Sequence, residues 1–205
     1  MQTLKESASE RLFRIAELQD GYFTAKQAKK SGFLDVNYKY HVTAGNWIRI
    51  FRGIYRLAKY PQSENEQYIL WHLWSMNRKQ IPQGVYSHQT ALSIYDLSDI
   101  SPSKLHMTVP PNFRREGVIP KILIFHKEKL SIKDIKYMQG FAVTKPMKTI
   151  LDLSKKELIS RDHLSQGLRE GIQKGLISKE DIDAAIRSDE VATWLKEVIN
   201  KYYEI

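Results

Sequence analysis

Turn signals divide the first sixty residues into four short segments, which restricts this part of the chain to small helices and a hairpin. Gly21, Gly32 and Gly45 each follow a helical segment, because glycine readily adopts the left-handed backbone that closes a helix. The fourth segment, WIRIFRGIYRL, is centred on Arg52-Gly53, a typical two-residue hairpin turn. We therefore expect three short helices followed by a hairpin.

The three helical segments carry further signals of their type. Leu12, Ile15 and Ala16 form one apolar stripe in the first segment, and Thr24 is placed to cap the second. Asp35 is a candidate cap for the third helix, VNYKYHVTA. This order of elements predicts a winged helix-turn-helix domain over residues 1–60. In such a domain the third helix enters the DNA major groove, and the hairpin, or wing, lies along the neighbouring backbone or minor groove.

The wing sequence predicts an unusual pairing of like charges. A regular two-residue turn at Arg52-Gly53 sets Arg49 opposite Arg56, and like charges in that position cost about 0.2–1 kcal/mol. A phosphate between them would replace repulsion with charge-assisted hydrogen bonds, and Arg52 at the tip would add another. Alternatively, the long side chains splay into water at little cost. We predict that all three arginines contact DNA.

The third helix can be oriented by its apolar residues. Tyr38 and Val42 are four residues apart and can face the core together. Asn37 is then a candidate for adenine readout, and Lys39 for a phosphate or guanine. The opposite orientation, with Val36 and Tyr40 buried, stays open. The preferred orientation predicts four DNA-binding side chains on the outer face: Asn37, Lys39, Tyr40 and Thr43.

Charge is distributed unevenly along the chain. Residues 1–60 hold 11 Lys or Arg and 5 Asp or Glu, a net charge of +6, and residues 61–156 hold 14 and 8, again +6. Residues 157–205 hold 7 and 10, a net charge of −3. A basic first segment is typical of a phosphate binder. Three lysines of the second helix either contact the DNA backbone or form a solvated face: Lys26, Lys29 and Lys30.

Composition excludes several classes of protein. The chain has 205 residues and no cysteine, so it has neither disulfides nor thiolate metal sites, in keeping with a reducing cytosol. It offers neither a signal-peptide pattern nor about 18 consecutive apolar residues. We therefore expect a cytoplasmic protein that does not bind membranes.

The remainder of the chain predicts an α/β (α+β) domain. Residues 61–84 contain ENEQYILWHLWSMNR, which predicts a linker helix with a large buried face. Within residues 85–205, LHMTVP alternates as a half-buried strand, while KILIFH and GFAVT predict two more strands. The chain is predicted to be helical from about residue 146, and these helices either pack on the domain or form a partner surface.

Sequence motifs favour a non-enzymatic protein without cofactor, metal or catalytic residues. Phosphate-loop, G-x-S-x-G and cysteine-nucleophile patterns are missing, and His106 and His126 lack metal-ligand spacing. Asp134-Ile135-Lys136 is similar to the metal-binding triplet of restriction-type nucleases, but a predicted turn or short helix precedes it where those enzymes need a strand. Asp152 is interpreted as a structural cap or an ion-pair partner.

Four segments, in order, carry a family resemblance over about residues 8–155. They are GYFTAKQAKKSGF, HVTAGNWIRIFRGIYRL, YSHQTALSIYDLSDISPSKLHMTVP and FAVTKPMKTILDL. Together they resemble the AbiEi-type antitoxins, transcriptional regulators of type IV toxin-antitoxin modules that act in phage defence. The resemblance implies a DNA-binding autorepressor that recognises inverted repeats in its own promoter. It also implies a C-terminal domain that opposes a nucleotidyltransferase-type toxin, with direct contact left open.

Two other interpretations remain at this point. One is a metal-dependent nuclease that uses Asp134 and is guided to DNA by the winged helix. The other is a plain transcriptional regulator that has no toxin partner.

Overall fold

The computed structural model describes residues 6–156, 159–188 and 191–203 of the chain. The chain divides into two compact units. The first comprises Met1–Gly84 with Tyr137–Ala142, and the second comprises Val85–Lys136 with Val143–Ile205. Helices and two sheets confirm the predicted mixed α/β class. The predicted domain boundaries at residues 60 and 84 stay a prediction. Within the described ranges, no helix combines the length and apolar character needed to span a membrane.

The first unit has the element order of a winged helix-turn-helix. Its three-stranded antiparallel sheet has the order β1-β3-β2. The helix α4 contacts β1 and β3 of this sheet. The elements are α1 (Ala8–Glu17), β1 (Tyr22–Thr24), α2 (Ala25–Lys30), a 3-10 turn (Asp35–Asn37), α3 (Tyr38–Thr43), β2 (Trp47–Phe51), β3 (Ile54–Leu57) and α4 (Glu66–Trp74).

Local hydrogen bonds explain where these helices begin. The Thr24 hydroxyl accepts from the Gln27 backbone N–H, and the Gln27 side chain accepts from the Thr24 backbone N–H, which confirms the predicted cap of α2. The predicted Asp35 cap is wrong, because Asp35 lies inside the 3-10 turn and its carboxylate accepts from Lys29 instead. The strand β1 went unpredicted, since three consecutive buried residues show no alternation.

A mainly aromatic core joins the elements of the first unit. The Trp47 ring lies 4.9 Å from the Phe23 ring and 5.4 Å from the Tyr38 ring, measured between centroids. Edge-to-face and tilted pairs of this kind add stability beyond the apolar area that they bury. Because these rings come from β1, α3 and β2, the core fixes the third helix against the hairpin. The buried residues of this core are Leu12, Ala16, Phe23, Ala28, Tyr38, Trp47 and Tyr55.

The second sheet has five strands in the order β6-β5-β4-β8-β7, and all of its residues except Tyr137 and Ala142 belong to the second unit. β5 pairs with β4 in antiparallel and with β6 in parallel orientation. The elements are β4 (Val85–Tyr86), α5 (His88–Ile94), β5 (Leu105–Val109), β6 (Leu123–Lys127), a 3-10 turn (Ile132–Asp134), β7 (Ile135–Tyr137), β8 (Ala142–Thr144), α6 (Pro146–Lys156), α7 (Arg161–Gln173), α8 (Lys179–Arg187) and α9 (Thr193–Tyr203).

The prediction of a half-buried LHMTVP strand is wrong. All five residues of β5 are buried, including the polar His106 and Thr108. β5 lies between β4 and β6 in the sheet, and α5 packs against it, so the strand has no open edge and the side that faces α5 is covered. Thr108 meets this burial by donating a 2.8 Å hydrogen bond to the Ser87 hydroxyl.

The helical character predicted from about residue 146 is confirmed by α6, α7, α8 and α9. The predicted capping box of α8 is present, because Ser178 and Asp181 each accept from the other's backbone N–H. Residues 157 and 158, the predicted end of the helix that starts at Pro146, lie outside the described residues.

Buried His72 in α4 links the stability of the first unit to pH. Its Nδ1–H donates a 2.9 Å hydrogen bond to the Gly84 carbonyl, and burial lowers the pKa of His72 to about 4. The folded state therefore holds the neutral ring, while an unfolded chain takes up a proton near pH 6.5. We expect the free energy of unfolding to fall as pH drops from 6.5 toward 4, by up to about 1.4 kcal/mol per pH unit.

Urea unfolding of His72→Asn across this interval should show a flatter pH dependence than the parent, since the amide keeps a donor but does not titrate. His163→Asn, a matched change on α7, should keep the parental slope. If His72→Asn keeps the parental slope, the pH dependence of stability does not come from His72.

Candidate nucleic-acid interface

The orientation of α3 agrees with the preferred prediction. Tyr38 is only 8% exposed, and Val42 packs against the aromatic core. Val36 and Tyr40 are 82% and 67% exposed, so the opposite orientation is excluded. The outer face of the third helix is thus open to solvent in the first unit.

Tyr38 holds α3 in place through a hydrogen bond as well as through packing. Its hydroxyl donates to the Ala25 carbonyl at 2.8 Å, which ties α3 to the first residue of α2. Burial raises the pKa of Tyr38 to about 12, and the neighbouring Asp35 acts in the same direction. The phenol therefore stays protonated, and able to donate, at neutral pH. Such fixation positions the outer side chains on a rigid support.

The predicted outer residues are all exposed, but they do not all lie on the helix. Lys39, Tyr40 and Thr43 belong to α3, whereas Asn37 ends the preceding 3-10 turn. Asn37 is the residue before the first turn of α3, and its side chain makes no capping hydrogen bond. Its amide is therefore not used in capping the helix.

The predicted face-to-face pairing of Arg49 and Arg56 is wrong. Arg49 lies opposite Tyr55 and Arg56 lies opposite Ile48, while Phe51 pairs with Ile54 beside the turn. The pairing shifts between Arg49 and Phe51, so one strand carries an extra residue, as in a β-bulge. The turn signal at Arg52-Gly53 predicts only the pair next to the turn, Phe51 with Ile54. The bulge shifts every pair farther from the turn by one residue.

The two arginines also have different environments. Arg49 and Arg52 are exposed, but the Arg56 side chain is only 7% exposed. The Nη1 of Arg56 donates to the Tyr60 carbonyl at 3.0 Å and lies 3.7 Å from the Glu66 carboxylate. Arg56 therefore stabilises the chain that follows the wing, and its guanidinium is not available to a phosphate.

The three α2 lysines are exposed, as predicted, but their surroundings differ. Lys29 forms a 3.1 Å ion pair with Asp35, and its hydrogen bond lowers the pKa of that carboxyl. Lys26 approaches the Arg78 carbonyl at 3.5 Å, a long contact. The positive charge of Lys29 is thus partly balanced within the protein, while Lys30 extends from the last turn of α2.

The residues considered for catalysis or metal binding lie in different elements of the second unit. Asp152 is buried and forms a 2.5 Å ion pair with Lys148, which confirms its interpretation as an ion-pair partner. Asp134 ends a 3-10 turn, and Ile135 and Lys136 begin β7. His106 Nδ1 lies 3.0 Å from His126 Nε2, a hydrogen-bonding distance. Across residues 6–156, 159–188 and 191–203, no group of three or more His, Cys, Asp or Glu is arranged to hold a metal ion.

Helix, strand, two helices and a hairpin, with an exposed third helix, give the first unit the arrangement of a winged helix-turn-helix, a fold found in many DNA-binding domains. Residues 10–58 match the family described as "Transcriptional regulator, AbiEi antitoxin". The match confirms the predicted resemblance over the segment from α1 to the end of the wing. It supports a regulator of transcription.

A solved structure shares the fold over a larger part of the chain. It is the crystal structure of the RV2827C protein from Mycobacterium tuberculosis, with a TM-score of 0.54 and 12% sequence identity. The similarity covers 85% of this chain and 69% of that chain. At this identity the likeness shows the fold alone. None of the curated proteins compared matches the sequence.

Removal of the Tyr38 hydroxyl tests how α3 is held. Tyr38→Phe deletes the donor to the Ala25 carbonyl and leaves that acceptor in a partly buried position. We expect the free energy of unfolding in urea to decrease by about 1 kcal/mol. Tyr40→Phe, on the exposed face of the same helix, should change it by less than about 0.5 kcal/mol. Equal effects of the two changes would contradict this role.

Arg56→Leu should destabilise the protein, because it leaves the Tyr60 carbonyl without its donor and removes the partner of Glu66. We expect a loss of about 1–3 kcal/mol in urea unfolding. Arg52→Leu at the exposed wing tip is the matched control and should change stability by less than about 0.5 kcal/mol. A neutral Arg56→Leu would show that the buried contacts are dispensable.

Proposed function

We propose that the protein is a transcriptional autorepressor and the antitoxin of a type IV toxin-antitoxin module. The observation that carries the proposal is the family match at residues 10–58, which covers α1 to β3 and includes the exposed outer face of α3. Occupancy of inverted repeats in its own promoter would block transcription of the module. Such a regulator works where the DNA is, in the cytoplasm.

The DNA contacts divide between base readout and backbone binding. The outer residues of α3 would meet base edges in the major groove, with Asn37 at the entry of the helix as a candidate for adenine. Arg49 and Arg52 on the wing would bind phosphates and fix the register, and Lys26 and Lys30 would add backbone contacts. Arg56 has no place in this set, because its guanidinium is buried.

The antitoxin role is assigned to the second unit. Two segments of the family resemblance, YSHQTALSIYDLSDISPSKLHMTVP and FAVTKPMKTILDL, supply α5 with β5 and β8 with α6. α5 contacts both β5 and α6, so these segments pack together in one unit. Because the two segments pack together, we assign them one shared function, which is to oppose a nucleotidyltransferase-type toxin. Co-expression of the full chain with such a toxin should restore growth, and pull-down of the tagged toxin tests direct contact.

A salt series on duplex DNA from the upstream region tests the wing. With about four to six phosphates contacted, the binding constant should fall with salt concentration to a power of about 3.6 to 5.4. Arg49→Ala combined with Arg52→Ala should reduce this exponent by about 1.8, since each lost phosphate contact removes about 0.9. Footprinting locates the site, and anisotropy titrations give the exponent.

Lys201→Ala, an exposed charge on α9, is the control and should keep the parental exponent. An unchanged exponent in the double arginine variant would remove the wing from the interface. Failure of the full chain to protect any upstream duplex would reject DNA-binding autorepression.

A further inference from the structure

The centre of the outer face of α3 is apolar rather than charged. Successive residues of an α-helix are about 100° apart around the axis. Taking buried Tyr38 as the inward direction, Val36 and Tyr40 each point about 160° away from it, and Thr43 about 140° away. Lys39 and Asn37 lie only about 100° away, on opposite flanks. The tighter 3-10 turn shifts Val36 somewhat, yet its 82% exposure keeps it on the outer side.

Two large hydrophobic side chains are exposed on this side of the third helix and the turn before it. Val36 is a large apolar residue with most of its surface in water, and it is followed one turn later by the exposed ring of Tyr40. Because exposed apolar side chains are common on protein surfaces, their position in the fold, rather than their exposure, indicates a contact surface. Their place at the start of the third helix of a winged helix-turn-helix is the place that approaches base edges. In the proposed DNA complex, these two side chains would face the floor of the major groove.

One apolar group is offered by the major groove, the C5-methyl of thymine. A valine or a tyrosine ring set against a guanine or cytosine edge would strip water from donors and acceptors without replacing their hydrogen bonds. Against a thymine methyl it excludes water from apolar surface on both sides. The chemistry of the helix centre thus discriminates between base pairs without any hydrogen bond.

We propose that Val36 and Tyr40 are specificity-determining residues that contact thymine C5-methyl groups, so that each half-site carries thymine opposite the centre of α3. This inference rests on the proposed DNA-binding function and deepens it. Lys39 and Asn37, on the flanks, then bind the groove walls and neighbouring positions, while the central apolar residues select the base pair. Thr43, with one methyl and one hydroxyl, lies at the far end of the same stripe.

The test replaces thymine by deoxyuridine, which lacks the C5-methyl and keeps every hydrogen-bonding group. The full chain is first used to select its preferred duplex from a random-sequence library. Each thymine of that duplex is then replaced singly, and Kd is measured by anisotropy at fixed salt. We expect about fourfold weaker binding at one or two thymines of each half-site, the effect of one buried methyl.

Variants identify the side chain responsible. Val36→Ala should reduce the deoxyuridine penalty at one of these thymines to nearly onefold, and Tyr40→Ala should do so at another or at the same position. Val118→Ala changes a valine that is 92% exposed in the second unit and should keep every penalty. Lys39→Ala should weaken all duplexes alike and keep the penalties.

The outcomes separate this inference from the function on which it rests. If the protein binds the duplex tightly and no thymine-to-deoxyuridine replacement changes Kd, the inference is overturned while DNA binding stands. Penalties that persist unchanged in both Val36→Ala and Tyr40→Ala also overturn it. Failure to select any duplex rejects the DNA-binding function, and the inference with it.

Discussion

Packing around Trp47 is the interaction on which the arrangement of the first unit depends. Its indole contacts Phe23 of β1 and Tyr38 of α3, and stacks on His41 with centroids 4.5 Å apart. A six-residue helix such as α3 has little stability in isolation, because helix nucleation is costly. The aromatic core supplies the missing stability and at the same time defines which side of α3 faces outward. Fold and candidate interface are therefore set by the same contacts.

Local sequence signals predicted well the features that local chemistry decides. Thr24 caps α2 because its hydroxyl and Gln27 are in reach within one turn, and Tyr38 and Val42 face inward because residues four apart share a helix face. The spacing of Tyr38 and Val42 therefore predicted which side of α3 faces the core and which residues face outward. By contrast, β1 and β4 have three and two residues and form only because neighbouring strands pair with them.

The predicted pairing of the wing arginines is wrong because long-range contacts decide it. Hairpin alternation treats Arg49 and Arg56 as equivalent, but the bulge in β2 and the approach of Tyr60 and Glu66 make one exposed and the other buried. Neither the extra residue nor the distant carboxylate can be inferred from the eleven residues of the wing. The same limit affected β5, whose polar residues were expected in solvent and are covered by α5.

The bulge also makes the wing sensitive to length. Between the pair Trp47–Leu57 and the pair Phe51–Ile54, β2 holds one residue more than β3. This extra residue places Arg49 opposite Tyr55. Replacement of an exposed wing residue would alter one contact, whereas insertion or deletion on either strand would exchange interior and exterior positions along the remaining ladder. Diversification of the wing among related proteins would therefore proceed by changes of residue type at constant loop and strand length.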